Sequence, residues 1–217
     1  MKHALTEAER TRIAAAVATA EQRTSGEIVP YIVAKSANYE VALWRGAGLF
    51  ALIASALVLL ARWLSGWSVP LWLSGYMPVV ITLLAAAVGA LFVQAVPVFR
   101  RRFAGDALLT RSVHQRAIEA FVEKEVFATR DRTGILLFVS LLEHRIEVVG
   151  DSGINSRVSQ EDWADVVRLI RDGIKAGRLA DGLAAGIDSC GHLLKQSGVE
   201  IRPDDTNELA DEVSFGV

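Results

Sequence analysis

The chain has 217 residues, of which 52% are hydrophobic, with a formal net charge of -2 and one cysteine. That length suffices for one compact domain plus a membrane hairpin. Nothing in so small a net charge points to a nucleic-acid groove, so no nucleic-acid partner is expected, and the lone Cys190 excludes an internal disulfide.

The opening MKHALTEAER has no apolar core, so a cleaved signal peptide is not expected. Leu5–Arg23 reads as a helix. Thr6 and Glu9 form a capping-box pattern at its start, and Ile13, Val17 and Ala20 share one face. Thr24-Ser25-Gly26 stops it. Glu27–Ala34 is rich in Ile and Val and suits a strand buried on both faces, with Pro30 arguing for an edge position or a bulge.

Two apolar runs follow, Trp44–Trp63 and Pro78–Phe99, each near the ~20 residues a helix needs to cross a bilayer. Between Arg45 and Arg100 the only charge is Arg62. A backbone in lipid must satisfy its own hydrogen bonds, so the pair reads as a transmembrane helical hairpin. Arg45 flanks the membrane at the start of the first span and Arg100, Arg101 and Arg102 lie beyond the second, which predicts both chain ends in the cytoplasm of a bacterial inner membrane. Trp63, Trp67, Trp72 and Tyr76, in and beside the connecting loop, suit the opposite membrane interface. Ala85, Ala86, Gly89 and Ala90 give the second helix a small-residue face for close helix approach.

Past the hairpin, Thr110–Phe127 predicts a helix with Ile118, Phe121, Val122 and Val126 on its apolar side. Ile135–Ser140 is an unbroken apolar strand. Arg145–Gly150 is the next, joined to it through Leu141–His144. Gly150–Gly153 makes an exit turn. Ser159 and Asp162 predict the cap of a third helix with Trp163, Val166, Val167, Ile170 and Ile174 on one face, ended by Gly177. Arg178–Gln196 is a fourth helix with Leu183, Ile187, Cys190 and Leu194 in line. Its Gly182, Gly186 and Gly191 are expected to be offset by close packing against the sheet. After Ser197 the chain is acidic and reads as a solvated tail.

The segments TSGEI at Thr24–Ile28, D-x-x-G with its strand at Asp131–Val139, and RIEVVGDSGI at Arg145–Ile154, followed by a helix pair containing GRLADGL, resemble the TPM domain family, also described as the thylakoid lumen 18.3 / Psb32 / MOLO-1 type. The resemblance covers Leu5–Ala34 and about Val113–Leu194. It implies an α/β fold. Acid phosphatase activity and accessory roles on membrane complexes have been associated with that family. The expected fold class is α/β, a TPM-like domain of order α-β-(two transmembrane helices)-α-β-β-α-α. Residues 1–34 and 110–197 would form a discontinuous cytoplasmic domain, 44–99 the hairpin and 198–217 the acidic tail. Many family members carry a signal peptide, and this chain departs from them by inserting its hairpin after the first strand.

Topology also places the candidate chemistry. A crossover makes the first two strands parallel, and the third returns antiparallel to the second. Glu27, Asp131 and Asp151 should then lie at one end of the sheet, opposite the end where the hairpin leaves. Clustered there, they could bind Ca²⁺ or Mg²⁺, and a metal could polarise a phosphate. Equally, Asp131 could cap a turn, Asp151 satisfy loop amides and Glu27 pair with an arginine. Gly150-Asp151-Ser152-Gly153 looks like a serine nucleophile motif, but Ser152 lacks a partnered His. The expected function is a non-catalytic accessory or binding module for another membrane-associated protein. The alternative is a metal-assisted phosphomonoesterase.

Overall fold

The computed structural model describes residues 5–66, 70, 74–201 and 206–216. They fall into two compact units, residues 1–36 with 110–217, and residues 37–109.

The first unit is a four-stranded mixed sheet between helices. Its strands are β1 (Glu27–Val33), β2 (Gly134–Ser140), β3 (Arg145–Gly150) and β4 (Ser214–Gly216), in the order β3-β2-β1-β4. β1 and β2 are parallel with Glu27 opposite Gly134, and β3 returns antiparallel with Gly150 opposite Ile135. Every residue of β1 and β2 is buried, as expected where helices cover both faces. On one face Ile28, Ile32, Ile135, Leu137 and Val139 pack with apolar residues of α1 (Glu7–Glu21), α7 (Ala164–Lys175) and α8 (Leu179–Gln196). On the other, Val29, Tyr31, Val33, Leu136 and Phe138 pack with α5 (Asp106–Glu123).

The capping box of α1 forms, with Thr6 accepting from Glu9 N and the Glu9 carboxylate accepting from Thr6 N. Gly177 adopts the left-handed backbone, φ +70°, just past α7. Ser159 and Asp162 bond to each other, but they close a separate turn, and α7 starts only at Ala164. A short helix the sequence did not signal, α6 (Ser152–Asn155), replaces the expected exit turn.

Four further expectations change. Pro30 marks neither an outer strand nor a bulge: β1 is interior, but β4 pairs with it only from Tyr31 to Val33, so among the described residues the side away from β2 has no strand partner at Pro30. The C-terminal segment is not wholly a solvated tail, because Ser214–Gly216 adds β4 parallel to β1 and Phe215 lies under the Arg10 guanidinium. In α5 the buried face is Val113, Ala117 and Ala120, while Ile118 and Val122 are exposed. Small residues form the face of that helix that packs on the sheet, so side-chain size was a poor guide to it. Finally, the α8 glycines meet other helices and not the sheet. A Cβ on Gly182 would sit 2.7 Å from Gly173 Cα in α7, and one on Gly191 would sit 2.9 Å from Ala20 Cβ in α1.

The second unit holds α2 (Glu40–Ser65), α3 (Met77–Ala95) and α4 (Pro97–Ala104). At 1.5 Å per residue α2 and α3 are about 39 Å and 28 Å long. α2 begins before the expected Trp44. The second apolar run breaks at Val96, so Arg100, Arg101 and Arg102 sit on their own helix. α2 and α3 cross closely where Gly46 faces Gly89, and Ser55 Oγ and Thr82 Oγ1 hydrogen-bond at 3.2 Å. Gly89 is buried there, with Ala85, Ala86 and Ala90 half-buried beside it.

Candidate functional site

The three singled-out segments meet at the end of the sheet where β1 and β2 begin and β3 ends. Thr24 Oγ1 donates to Val199 O and accepts from Gly26 N, shaping the entry to β1. Thr133 Oγ1 donates to Ser25 O at 2.8 Å, and Glu27 N donates to Thr133 O at 3.2 Å, tying the β1 and β2 entries together. Asp151 N donates to Gly134 O and Gly153 N to Arg132 O, each at 2.9 Å, which fastens the loop after β3 to the loop before β2. The segments are legible as motifs because each supplies parts of one interlocked set of turns.

Within that frame the candidate carboxylates share an end but are not grouped with one another. Glu27 is buried and accepts from the backbone N–H groups of Glu208 and Leu209 at 3.3 and 3.4 Å. Asp151 is buried. Its Oδ1 accepts from Ser152 N, capping α6, and its Oδ2 lies 2.9 Å from Arg132 Nε. Asp131 lines a separate open cavity of about 270 Å³ with Ser25, Thr133, Arg157 and Glu200. Among the described residues no three His, Cys, Asp or Glu side chains are grouped to hold a metal ion. The donor set therefore does not fit the expected shared Ca²⁺ or Mg²⁺, because Glu27 and Asp151 already spend oxygens on backbone amides and an arginine.

Two residues here escaped the sequence reading. Arg132 has φ +59°, and its guanidinium pairs with Asp151 and lies over the Phe127 ring. No sequence signal marks a non-glycine residue for that backbone. The second is Glu21, in the last turn of α1, whose Oε1 accepts from Ile28 N at 2.8 Å. It lines an open cavity of about 400 Å³ with Glu27 and Asp211. Burial pushes its carboxyl up to about 8; the Ile28 bond opposes this, and the charges of Glu27 and Asp211 add to it. An acid raised this way keeps its proton in the folded chain while the unfolded chain loses it near 4.5. Its contribution to stability is intact below that pH, falls as pH rises through about 8, and then levels off. Partial solvent access reduces the loss to about 2 kcal/mol. Glu21→Gln keeps an acceptor for Ile28 N. It should match the parent's melting temperature near about pH 5 and exceed it near about pH 9. Parallel melting curves for the two proteins across that range would refute the assignment.

In the second unit, Arg45 Nη1 donates to Phe103 O and Ala104 O at 2.7 and 3.1 Å, across the C-terminal end of α4. Trp63 and Tyr76 are exposed at the loop ends of α2 and α3. Trp67 and Trp72 lie outside the described residues.

The fold defines a mixed α/β protein with two helices long and apolar enough to cross a membrane. Residues 101–193 match the TPM domain family, so the chain carries a TPM domain there. β1 lies outside that match yet pairs along its whole length with β2. The NMR structure of BA42 protein from the psychrophilic bacterium Bizionia argentinensis is similar to this fold. The TM-score is 0.60 at 21% identity, over 100% of this chain and 98% of that one. No curated protein matches the chain.

Proposed function

We propose that this chain is an integral membrane protein whose TPM domain is a non-catalytic accessory module for another membrane-associated protein. The observation that carries the membrane reading is the surface of α2 and α3. Leu52, Leu59, Leu83 and Leu91 are 70%, 68%, 65% and 64% exposed. Gly46–Ala61 and Met77–Phe99 contain no charged residue. Water does not favour so long an apolar surface, whereas a bilayer accepts it. The basic residues at the Arg45 and Arg100–Arg102 ends favour the cytoplasmic side, with both termini there, in a bacterial inner membrane.

The accessory reading is supported by how the acidic end is used. A metal-assisted phosphomonoesterase would need Glu27, Asp131 and Asp151 to converge, and Glu27 and Asp151 instead hold loops together.

Single cysteines test the topology. Cys190 is fully buried and burial pushes its thiol far up, so it needs no removal. In right-side-out bacterial membrane vesicles, Ser65→Cys should react with an impermeant maleimide, and Asp165→Cys should react only after permeabilisation. Labelling of Asp165→Cys from outside would reverse the proposed orientation. The detergent-purified full chain with Mg²⁺ or Ca²⁺ should release no phosphate from a generic monoester. Metal-dependent turnover that Asp131→Asn removes while the fold persists would make the protein an enzyme.

A further inference from the structure

We propose that α4 is a membrane-surface helix whose arginines hold the headgroups of anionic phospholipids. The proposal rests on the membrane reading above and adds a lipid class to it.

The break after α3 is built into the chain. Val96 is extended, with φ -111° and ψ 103°, and Pro97 opens the eight-residue α4. A helix of hydrocarbon length is thus followed at once by a short turn of Val98, Phe99, Arg100, Arg101, Arg102 and Phe103. The aromatic rings run on from the hairpin into α4. Phe50 and Phe92 have centroids 5.9 Å apart, Phe92 and Phe99 4.9 Å, and Phe99 and Phe103 6.5 Å. Val98 and Phe99 nevertheless stay 61% and 40% exposed. A block of cations flanked by apolar side chains on one short, partly exposed helix suits the depth where acyl chains meet headgroups.

The charges are posed for phosphate. Arg45 fastens the C-terminal end of α4 to α2, where a cation also complements the helix dipole. Arg100 donates through Nη2 to Gln94 O at the end of α3, while its Nε is buried with no hydrogen-bond partner among the described residues. Arg102 is exposed and Arg101 half-exposed. Glu40 and Asp106 are the only acidic residues in this unit, against Arg45, Arg62 and the three arginines of α4. A phosphodiester presents paired oxygens to guanidinium forks. A free phosphate would use the arginines but leave Val98 and Phe99 in water, whereas a lipid uses both.

The test reconstitutes the full chain into nanodiscs of phosphatidylcholine with a minority of phosphatidylglycerol and counts retained lipids by native mass spectrometry. Phosphatidylglycerol should be retained over phosphatidylcholine by about fivefold or more, the scale expected of an arginine at an anionic surface. Arg101→Gln/Arg102→Gln should lose most of that preference, and Arg101→Lys/Arg102→Lys should keep most of it. Equal retention of the two lipids by the parent chain, or an unchanged preference in the glutamine variant, would overturn the proposal. So would displacement of the lipid by inorganic phosphate at constant ionic strength. A chain that floats with neither type of liposome removes the membrane reading and this proposal together. A chain that floats with both but shows no preference removes this proposal alone.

Discussion

Gly134→Ala is expected to cost about 3–5 kcal/mol of the α/β unit's stability, enough to leave much of the protein unfolded. An alanine Cβ there would overlap the carbonyl oxygen of Val126, and it would sit 2.9 Å from both Val126 C and Val126 Cγ1. The obstacle is mostly backbone, so no rotamer change relieves it. Neither side can retreat cheaply. Gly134 opens β2, a fully buried strand that pairs with β1 on one side and β3 on the other. Val126 is itself fully buried in the core beneath α5. Moving β2 would also strain the Asp151 N to Gly134 O bond that fastens the third segment to the second. Gly177→Ala is the control. That glycine has φ +70° but open space around its missing Cβ, so the cost should be only the left-handed backbone penalty of about 1 kcal/mol. Urea midpoints read by near-ultraviolet circular dichroism on the full chain in mild detergent would rank the two. Equal losses would mean that close packing at Gly134 is not what its motif preserves.

The ease of reading this chain depended on whether a residue's partners were near in sequence. The capping box of α1, the stop at Gly177 and the buried runs of β1 and β2 are local patterns, and they lie where the residues indicate. The inner face of α8 was legible for the same reason, since Leu183, Ile187, Cys190 and Leu194 recur at helical spacing and all are fully buried. β4 was not legible: a three-residue strand has no periodicity, and its place is set by Tyr31–Val33 far upstream. The acidic end was legible in part. Strand order follows from connection rules, and the register brings Glu27, Asp131 and Asp151 to one end. Their side chains then turn to partners that no pattern announces: the amides of Glu208 and Leu209 for Glu27, and Arg132 in a left-handed backbone for Asp151.

These residues also show why motif glycines and acids need not mean catalysis. Gly134 clears a backbone carbonyl, and Gly153 packs on the carbonyls of Asp131 and Arg132. Asp151 completes the joint with its ion pair. Such an end holds loops in fixed positions, which is a requirement shared by an active site and a docking surface. Composition at the motif level therefore separates the two classes poorly, and the use of individual carboxylate oxygens separates them better.

Gly89→Leu should abolish the close crossing of α2 and α3 without preventing their insertion. The missing Cβ of Gly89 would lie 2.7 Å from Phe50 Cβ and Cγ and 2.8 Å from Gly46 O. A leucine must therefore push the helices apart by more than a rotamer change can absorb. Helix association in lipid gains nothing from hydrophobicity alone. It depends on packing at small residues and on interhelical hydrogen bonds, so separation also threatens the Ser55–Thr82 bond. Entry into the bilayer, by contrast, scales with apolar surface, and leucine increases it. The two effects can be read apart. Ser55→Cys/Thr82→Cys, whose parent hydroxyls are 3.2 Å apart, should form a disulfide readily in membranes. Adding Gly89→Leu should cut the cross-linked fraction by about tenfold, a factor worth about 1.4 kcal/mol of packing, while alkaline extraction leaves the protein in the membrane pellet. Gly48→Leu, where a Cβ meets nothing within 4 Å, should leave the cross-link intact. Undiminished cross-linking in Gly89→Leu would show that Gly46 and Gly89 are not the point on which the hairpin closes.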